Sequence, residues 1–260
     1  MNGITEKIMD NHSIFYIESL TNELKLKIKD ELVALCHGEA HRDSTFPIHS
    51  ISTTILELLK RYPAEENKQK GFIGEILLNI VIREYYDNFE VTSPFFNKEE
   101  AGSAKKGFDI ILFDKNDKNV WITESKAGSV SNTIPQTVDE KITERLTTAE
   151  RDLNTRLNED NQTIWMNALN DVLISMNESD EKEVVKSIIG LGNTSSTKSC
   201  VILGGIAFHD INEKFHEDTI LRKQDNVVNS KKFSKVKLIA IQKNTYKKVT
   251  EYLEEVGDTC

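Results

Sequence analysis

The sequence has few of the features that mark secreted or membrane-spanning proteins. Its three cysteines, Cys36, Cys200 and Cys260, are odd in number and widely spaced, so they predict no disulfide framework. It has no apolar run long enough to span a bilayer, and no basic segment followed by an apolar one as in a secretory signal. We therefore expect a cytoplasmic protein with reduced thiols and no membrane association.

Positive charge is scarce as well. Lysine and arginine total 33 against 42 acidic residues, and the net charge of −9 argues against a protein that coats nucleic acid unaided. One segment differs, because residues 231–248 contain seven lysines and no acidic residue. Lys231, Lys232 and Lys235 are therefore candidates for phosphate contacts with nucleic acid. The alternative is a solvated strand and helix face.

The 260 residues can bury one sizeable core. Apolar runs rich in β-branched residues alternate with stretches of helical spacing, which predicts an α/β protein. We expect residues 1–65 to form an N-terminal layer packed on a core of residues 66–260. Within that core, helical stretches at about 140–192 predict an insertion.

The centre of the prediction is a β-hairpin. Residues 107–113 and 120–126 are rich in β-branched and aromatic side chains, and the segment between them is polar. If the turn is centred between Asn116 and Asp117, Asp109 faces Glu124 across the ladder. We expect the second strand to end where Ala127, Gly128 and Ser129 turn the chain.

This register would bring together groups that can bind a cation. Facing residues of an antiparallel pair lie about 5 Å apart, so Asp109 and Glu124 could share one divalent ion. Side chains alternate along a strand, so Lys126 should project beside Glu124 while Thr123 and Ser125 point away. The alternative is an exposed rim, in which both carboxylates are solvated strand ends and Lys126 is their ion-pair partner.

A third carboxylate lies on a predicted helix. From Phe72 to Ile82 the polar residues are Glu75 and Asn79, so this helix should be buried on nearly all sides. A buried carboxylate requires a partner, which favours a functional role for Glu75. The alternative is an acidic residue favoured by the helix dipole. Gly71 and Gly74 indicate close approach of this helix to another part of the backbone.

This order of motifs resembles the PD-(D/E)XK nuclease superfamily, although Phe108 stands where its Pro would be. The resemblance implies a restriction-endonuclease-like α/β fold, with a mixed central sheet flanked by helices. It implies DNA phosphodiester hydrolysis with Mg²⁺ or Mn²⁺. The implied catalytic residues are Glu75, Asp109, Glu124 and Lys126, and the implied metal ligands are Glu75, Asp109, Glu124 and the main-chain carbonyl of Ser125.

Within that superfamily, the motifs and the chain length resemble the HamA nuclease subunits of Hachiman anti-phage defence. That resemblance implies a DNase effector restrained by a superfamily 2 helicase partner (HamB-like). Lys105 and Lys106 precede the first hairpin strand and could contact DNA phosphates, although solvated loop lysines are equally ordinary. Two other functions stay open: a sequence-specific restriction-type endonuclease, and an inactive nuclease fold that binds nucleic acid or protein.

Overall fold

The computed structural model describes residues 1–96, 107–131, 133, 135–192 and 195–259. Within these residues the chain forms a seven-stranded mixed sheet, in the order β1-β2-β7-β6-β5-β4-β3. The strands are β1 (Ile4–Ile8), β2 (His12–Ile17), β3 (Phe89–Val91), β4 (Ile110–Asp114), β5 (Asn119–Ser129), β6 (Cys200–Phe208) and β7 (Lys235–Lys243). Strands β2, β7, β6 and β5 are parallel neighbours, and the outer pairs are antiparallel.

Several helices begin at residues whose side chains cap them. Thr21, Ser50 and Thr137 each accept a hydrogen bond from a backbone N–H of the first turn, and Glu140 completes a capping box with Thr137. The helices are α1 (Asn22–His37), α2 (Ile51–Lys60), α3 (Glu66–Tyr85), α4 (Val138–Asn158), α5 (Gln162–Ser175), α6 (Asp180–Gly190), α7 (Glu217–Ser230) and α8 (Lys247–Thr259). In the described part of the chain, no helix is both long and apolar enough to cross a membrane.

The predicted mixed α/β class is confirmed, and the hairpin strands form where the sequence indicates. The turn expected at residues 127–129 is wrong, because β5 continues to Ser129. Its extension pairs in parallel with β6 as far as Phe208, and this pairing satisfies backbone groups that a turn would leave to solvent.

The N-terminal segment is part of the main sheet. Strand β2 pairs in parallel with β7, so residues 4–17 extend the sheet, while α1 and α2 follow as helices. In the stretch predicted as an insertion, α4 packs directly on β5 and β6, and α5 packs on α6. The stretch at about 140–192 therefore contains a helix that covers the sheet.

Two close approaches fix α3 against β5 and α4 against the neighbouring β6, one on each face of the sheet. A Cβ atom at Gly74 of α3 would lie 2.6 Å from the Cβ atom of Ala127, and one at Gly205 of β6 would lie 2.8 Å from Cγ of Leu146 on α4. Neither position has room for a larger side chain. By contrast, a Cβ atom at Gly71 would have no described neighbour within 4 Å. The second half of β5 is thus held between two helices.

Candidate functional site

The β4–β5 hairpin has the predicted register. Ile110 pairs with Thr123 and Ile111 with Ile122, as a turn centred between residues 116 and 117 requires. The recorded ladder ends at Ile110, so Asp109 lies one residue beyond it. The Asp109 carboxylate accepts hydrogen bonds from the backbone N–H (2.8 Å) and the hydroxyl (3.1 Å) of Ser125. Asp109 is therefore tied to the residue that follows Glu124.

Side chains along β5 alternate between the two helices, as predicted. Ile122 packs in the core on the α4 side and Trp121 in the core on the α3 side. Glu124 and Lys126 share the α4 side, where the Lys126 Nζ atom donates to Oε1 of Glu124 at 2.6 Å. Lys126 also lies 3.3 Å from Oδ2 of Asp152 on α4.

The Glu124 carboxylate is fully buried and held by two cations. Besides Lys126, Arg156 of α4 donates from Nη1 to Oε2 of Glu124 at 2.8 Å and from Nη2 to Oε1 at 3.5 Å. The Nη1 atom of Arg156 also donates to the carbonyl oxygen of Gly107 at 2.9 Å. The ion pair with Lys126 is the one expected of an exposed rim, but burial of Glu124 contradicts that alternative.

Burial sets the electrostatics of this group. It raises the pKa of Glu124 to about 7, and the nearby charge of Asp109 acts in the same direction, against Arg156 and Lys126. Burial alone would lower the pKa of Lys126, but the charges of Glu124, Asp109 and Asp152 raise it overall. The site thus holds a carboxylate that is costly to ionise beside a lysine that stays charged.

An open cleft of about 530 Å³ lies beside this arrangement, toward the end of β5. Three of the implied catalytic side chains line it, namely Glu75, Asp109 and Lys126, together with Ser125. Glu75 comes from α3 and is 9% exposed. Because Gly74 brings α3 against Ala127, the adjacent Glu75 reaches the cleft from the face opposite α4. Lys126 lines the cleft and also contacts the buried Glu124.

Sequence reasoning missed the basic side chains of the cleft and of α4. Lys70, Lys141 and Arg145 line the cleft, and Arg156 holds Glu124. A signal for the α4 residues does exist in the sequence. Each polar residue of one stripe stands one position before a buried apolar residue: Lys141, Arg145, Asp152 and Arg156 precede Ile142, Leu146, Leu153 and Leu157. This pattern predicts a charged edge beside the face that packs on the sheet.

The lysines predicted to contact nucleic acid lie elsewhere. Lys231 and Lys235 line a cavity of about 590 Å³ at the edge of the sheet that is formed by the starts of the parallel strands β5 and β7. Lys235 pairs with Asp117 and Lys232 with Glu150, each at 2.6 Å. Trp121 of β5 is level with Lys235, and Lys126 lies five residues further along β5, a distance of roughly 16 Å along the strand. Lys105 and Lys106 lie outside the described residues.

The implied donor set suits a hard divalent cation, since it would consist of carboxylates and the main-chain carbonyl of Ser125. Asp109 and Glu124 are close enough for the charge of one to affect the pKa of the other. Among the described residues, however, no group of three or more His, Cys, Asp or Glu side chains is gathered to hold a metal ion. The oxygens of Glu124 accept from Arg156 and Lys126 instead.

Comparison with protein-family models gives a match. The family model described as HamA matches residues 4–256, nearly the whole chain. Neither the search of curated proteins nor the search of solved structures found a match. The match extends over the N-terminal strands, the hairpin, α4 and most of the C-terminal helix.

Proposed function

Because the chain belongs to the HamA family, we propose that it is the nuclease component of a Hachiman-type anti-phage defence system. In this proposal it hydrolyses DNA phosphodiester bonds and has a PD-(D/E)XK core. The observation that carries the proposal is the meeting of Glu75, Asp109, Ser125 and Lys126 at one cleft, with Glu124 buried beside Lys126. These groups come from helix α3 and from the β4–β5 hairpin, which are distant in sequence.

Each residue has a role that its surroundings support. Asp109, Glu124 and the main-chain carbonyl of Ser125 would hold Mg²⁺ or Mn²⁺, and Glu75 would hold a second ion or orient water. A bound cation supplies Lewis-acid polarisation of a phosphoryl oxygen and lowers the pKa of water. Lys126 stays protonated between acidic neighbours, so it can donate to the negative charge that develops on the phosphate.

The cleft also offers a surface for the DNA backbone. Lys70, Lys141 and Arg145 line it, where Lys70 pairs with Glu66 and the other two pair with Glu144. Phosphate contacts by such residues position a nucleic acid without reading its sequence. We propose that the DNA strand lies along the cleft between α3 and α4. With a net charge of −9, the chain would depend on a partner for much of its DNA affinity.

Plasmid cleavage tests the proposal. The purified chain with excess Mg²⁺ should cut plasmid DNA, and a chelator should stop it. Glu124→Gln should reduce cleavage to the chelated level. Glu150→Gln is a matched control, since Glu150 is also buried and held by two lysines, Lys223 and Lys232, on another side of α4. Equal cleavage by wild type and a correctly folded Glu124→Gln variant would refute the assigned role.

One observation favours a second candidate. Because the oxygens of Glu124 accept from Arg156 and Lys126, the fold could bind nucleic acid without cutting it. The same assay separates the two: Mg²⁺-independent DNA binding without any cleavage would favour the binding module. The restraint by a superfamily 2 helicase is tested separately by co-expression, in which the helicase should co-purify with the chain and reduce its cleavage.

A further inference from the structure

We propose that Arg156 is a built-in competitor of the divalent cation for Glu124. Its guanidinium occupies the carboxylate that the proposed nuclease needs as a ligand, and so sets how tightly the isolated chain binds the ion. This inference rests on the proposed function. It adds a residue on α4, 32 positions beyond Glu124, whose part in the site comes from the contacts of its side chain.

The first step of the argument is occupancy of the carboxylate. Arg156 reaches both oxygens of Glu124, at 2.8 and 3.5 Å, and Lys126 takes Oε1 at 2.6 Å. A fully buried carboxylate with two cationic donors has little capacity left for a third positive charge. A divalent ion that binds Glu124 must therefore displace Arg156 or bind beside it.

The second step is the position of Arg156 on its helix. Asp152 lies one turn earlier on α4 and contacts Lys126 at 3.3 Å, so the same helix edge holds both side chains of the Glu-x-Lys motif. Arg156 also donates to the carbonyl oxygen of Gly107, two residues before Asp109. One guanidinium thus connects α4 to β5 and to the segment that leads into β4. A displacement of this segment of the hairpin would also loosen the hold on Glu124.

The third step is that a guanidinium has an alternative environment and a buried carboxylate does not. The Arg156 side chain is 25% exposed, whereas that of Glu124 is 1% exposed. Arg156 can therefore move toward solvent at modest cost, while Glu124 must keep a positive partner. Exchange of Arg156 for a divalent ion preserves that requirement. This asymmetry makes Arg156 the exchangeable partner.

Manganese binding to the isolated, metal-free chain tests the inference by calorimetry and by the electron paramagnetic resonance of free Mn²⁺. Arg156→Gln keeps a donor for Gly107 but removes the charge. We expect it to bind Mn²⁺ roughly tenfold more tightly than wild type, as removal of a nearby like charge predicts. Arg156→Lys, which keeps the charge, should stay within about twofold of wild type.

Two further variants locate the effect. Lys232→Ala removes one cation from the buried Glu150 and should leave Mn²⁺ affinity unchanged. Glu124→Gln combined with Arg156→Gln should lose the gain. Circular dichroism of each variant checks that the fold is kept, and if Arg156→Gln does not fold, Arg156→Met repeats the test with an apolar side chain of similar length.

The outcomes separate this inference from the proposed function. If wild type binds Mn²⁺ in a manner that depends on Glu124 but Arg156→Gln binds no more tightly, the competitor role is refuted and the metal site stands. If neither wild type nor Arg156→Gln binds Mn²⁺ through Glu124, both are refuted. Tighter binding that persists in the double variant would also refute the competitor role, because the gain would not involve Glu124.

Discussion

The sheet edge formed by the starts of the parallel strands and the edge formed by their ends both carry lysines, but these lysines have different neighbours. At the edge where β5 begins, Lys235 pairs with Asp117 of the hairpin turn and is about half exposed. Toward the end of β5, Lys126 pairs with the fully buried Glu124 beside a cleft that Asp109 also lines. The first cavity is slightly larger, about 590 against 530 Å³, so size does not identify the site. The chemistry of the lining does.

The largest expected difference between the edges is in catalysis. Lys126→Ala should reduce DNA cleavage by roughly 10²–10³-fold, because it removes a charged donor from the proposed transition state. Lys235→Ala, at the other edge, should leave the rate within about twofold, since its exposed ion pair contributes little. Initial rates of plasmid nicking in excess Mg²⁺ measure both. A comparable loss in the two variants would remove the distinction between the edges.

The next difference is in DNA affinity. Replacing Lys141 and Arg145 together with alanine should weaken DNA binding roughly tenfold. It should also reduce the slope of log K against the logarithm of the salt concentration by about two. The double variant of Lys231 and Lys235 removes the same charge from the other edge and should bind like wild type. Fluorescence anisotropy over a series of salt concentrations, with Ca²⁺ in place of Mg²⁺, provides the comparison. The reverse ranking would return the DNA interface to the predicted lysines.

A third prediction concerns stability against pH. The pKa of Glu124 is about 7 in the folded chain, above its ordinary value of 4.5, so the folded chain binds this proton more tightly than the unfolded chain. Wild type should therefore lose stability as the pH rises from about 5 to 8, relative to Glu124→Gln. The difference should reach roughly 1–3 kcal/mol. Urea unfolding of both proteins at pH 5 and at pH 8 measures this change. If wild type gained stability relative to Glu124→Gln as the pH rose, the burial argument would be contradicted.

The smallest expected effects concern stability, through the packing of α3 that positions Glu75. Gly74→Ala should destabilise the chain by about 1–3 kcal/mol, because its Cβ atom would meet the Cβ atom of Ala127. Gly71→Ala adds a Cβ atom to open space in the same helix and should stabilise it by up to about 1 kcal/mol. Thermal unfolding ranks the pair. Equal changes would show that α3 does not depend on this close approach.

Local pattern was sufficient to predict the hairpin and its register. Side chains alternate along a strand with a period of two, and a polar turn separates the two strands. A shift of the pairing by one residue would have moved every apolar side chain to the wrong face. The start of α4 also follows a local rule, since Thr137 and Glu140 form a capping box there. The same rules placed Lys126 beside Glu124.

Contacts between distant segments were beyond those rules. The sequence gives no signal that Arg156 would meet Glu124, because the meeting depends on how α4 crosses β5 and β6. Likewise, the lysines of residues 231–248 cluster along the chain, yet parallel pairing places Lys235 at the edge away from the cleft. The turn predicted at residues 127–129 failed because β6 supplied hydrogen-bond partners from 70 or more residues away.

Diffraction from crystals soaked in Mn²⁺ tests the central claim most directly, because the anomalous signal locates the ion independently of activity. We predict a peak within coordination distance of both Asp109 and Glu124, with the Arg156 guanidinium moved off the Glu124 carboxylate. A peak bound elsewhere, or Asp109 and Glu124 directed to opposite faces of the sheet with no ion between them, would contradict the account.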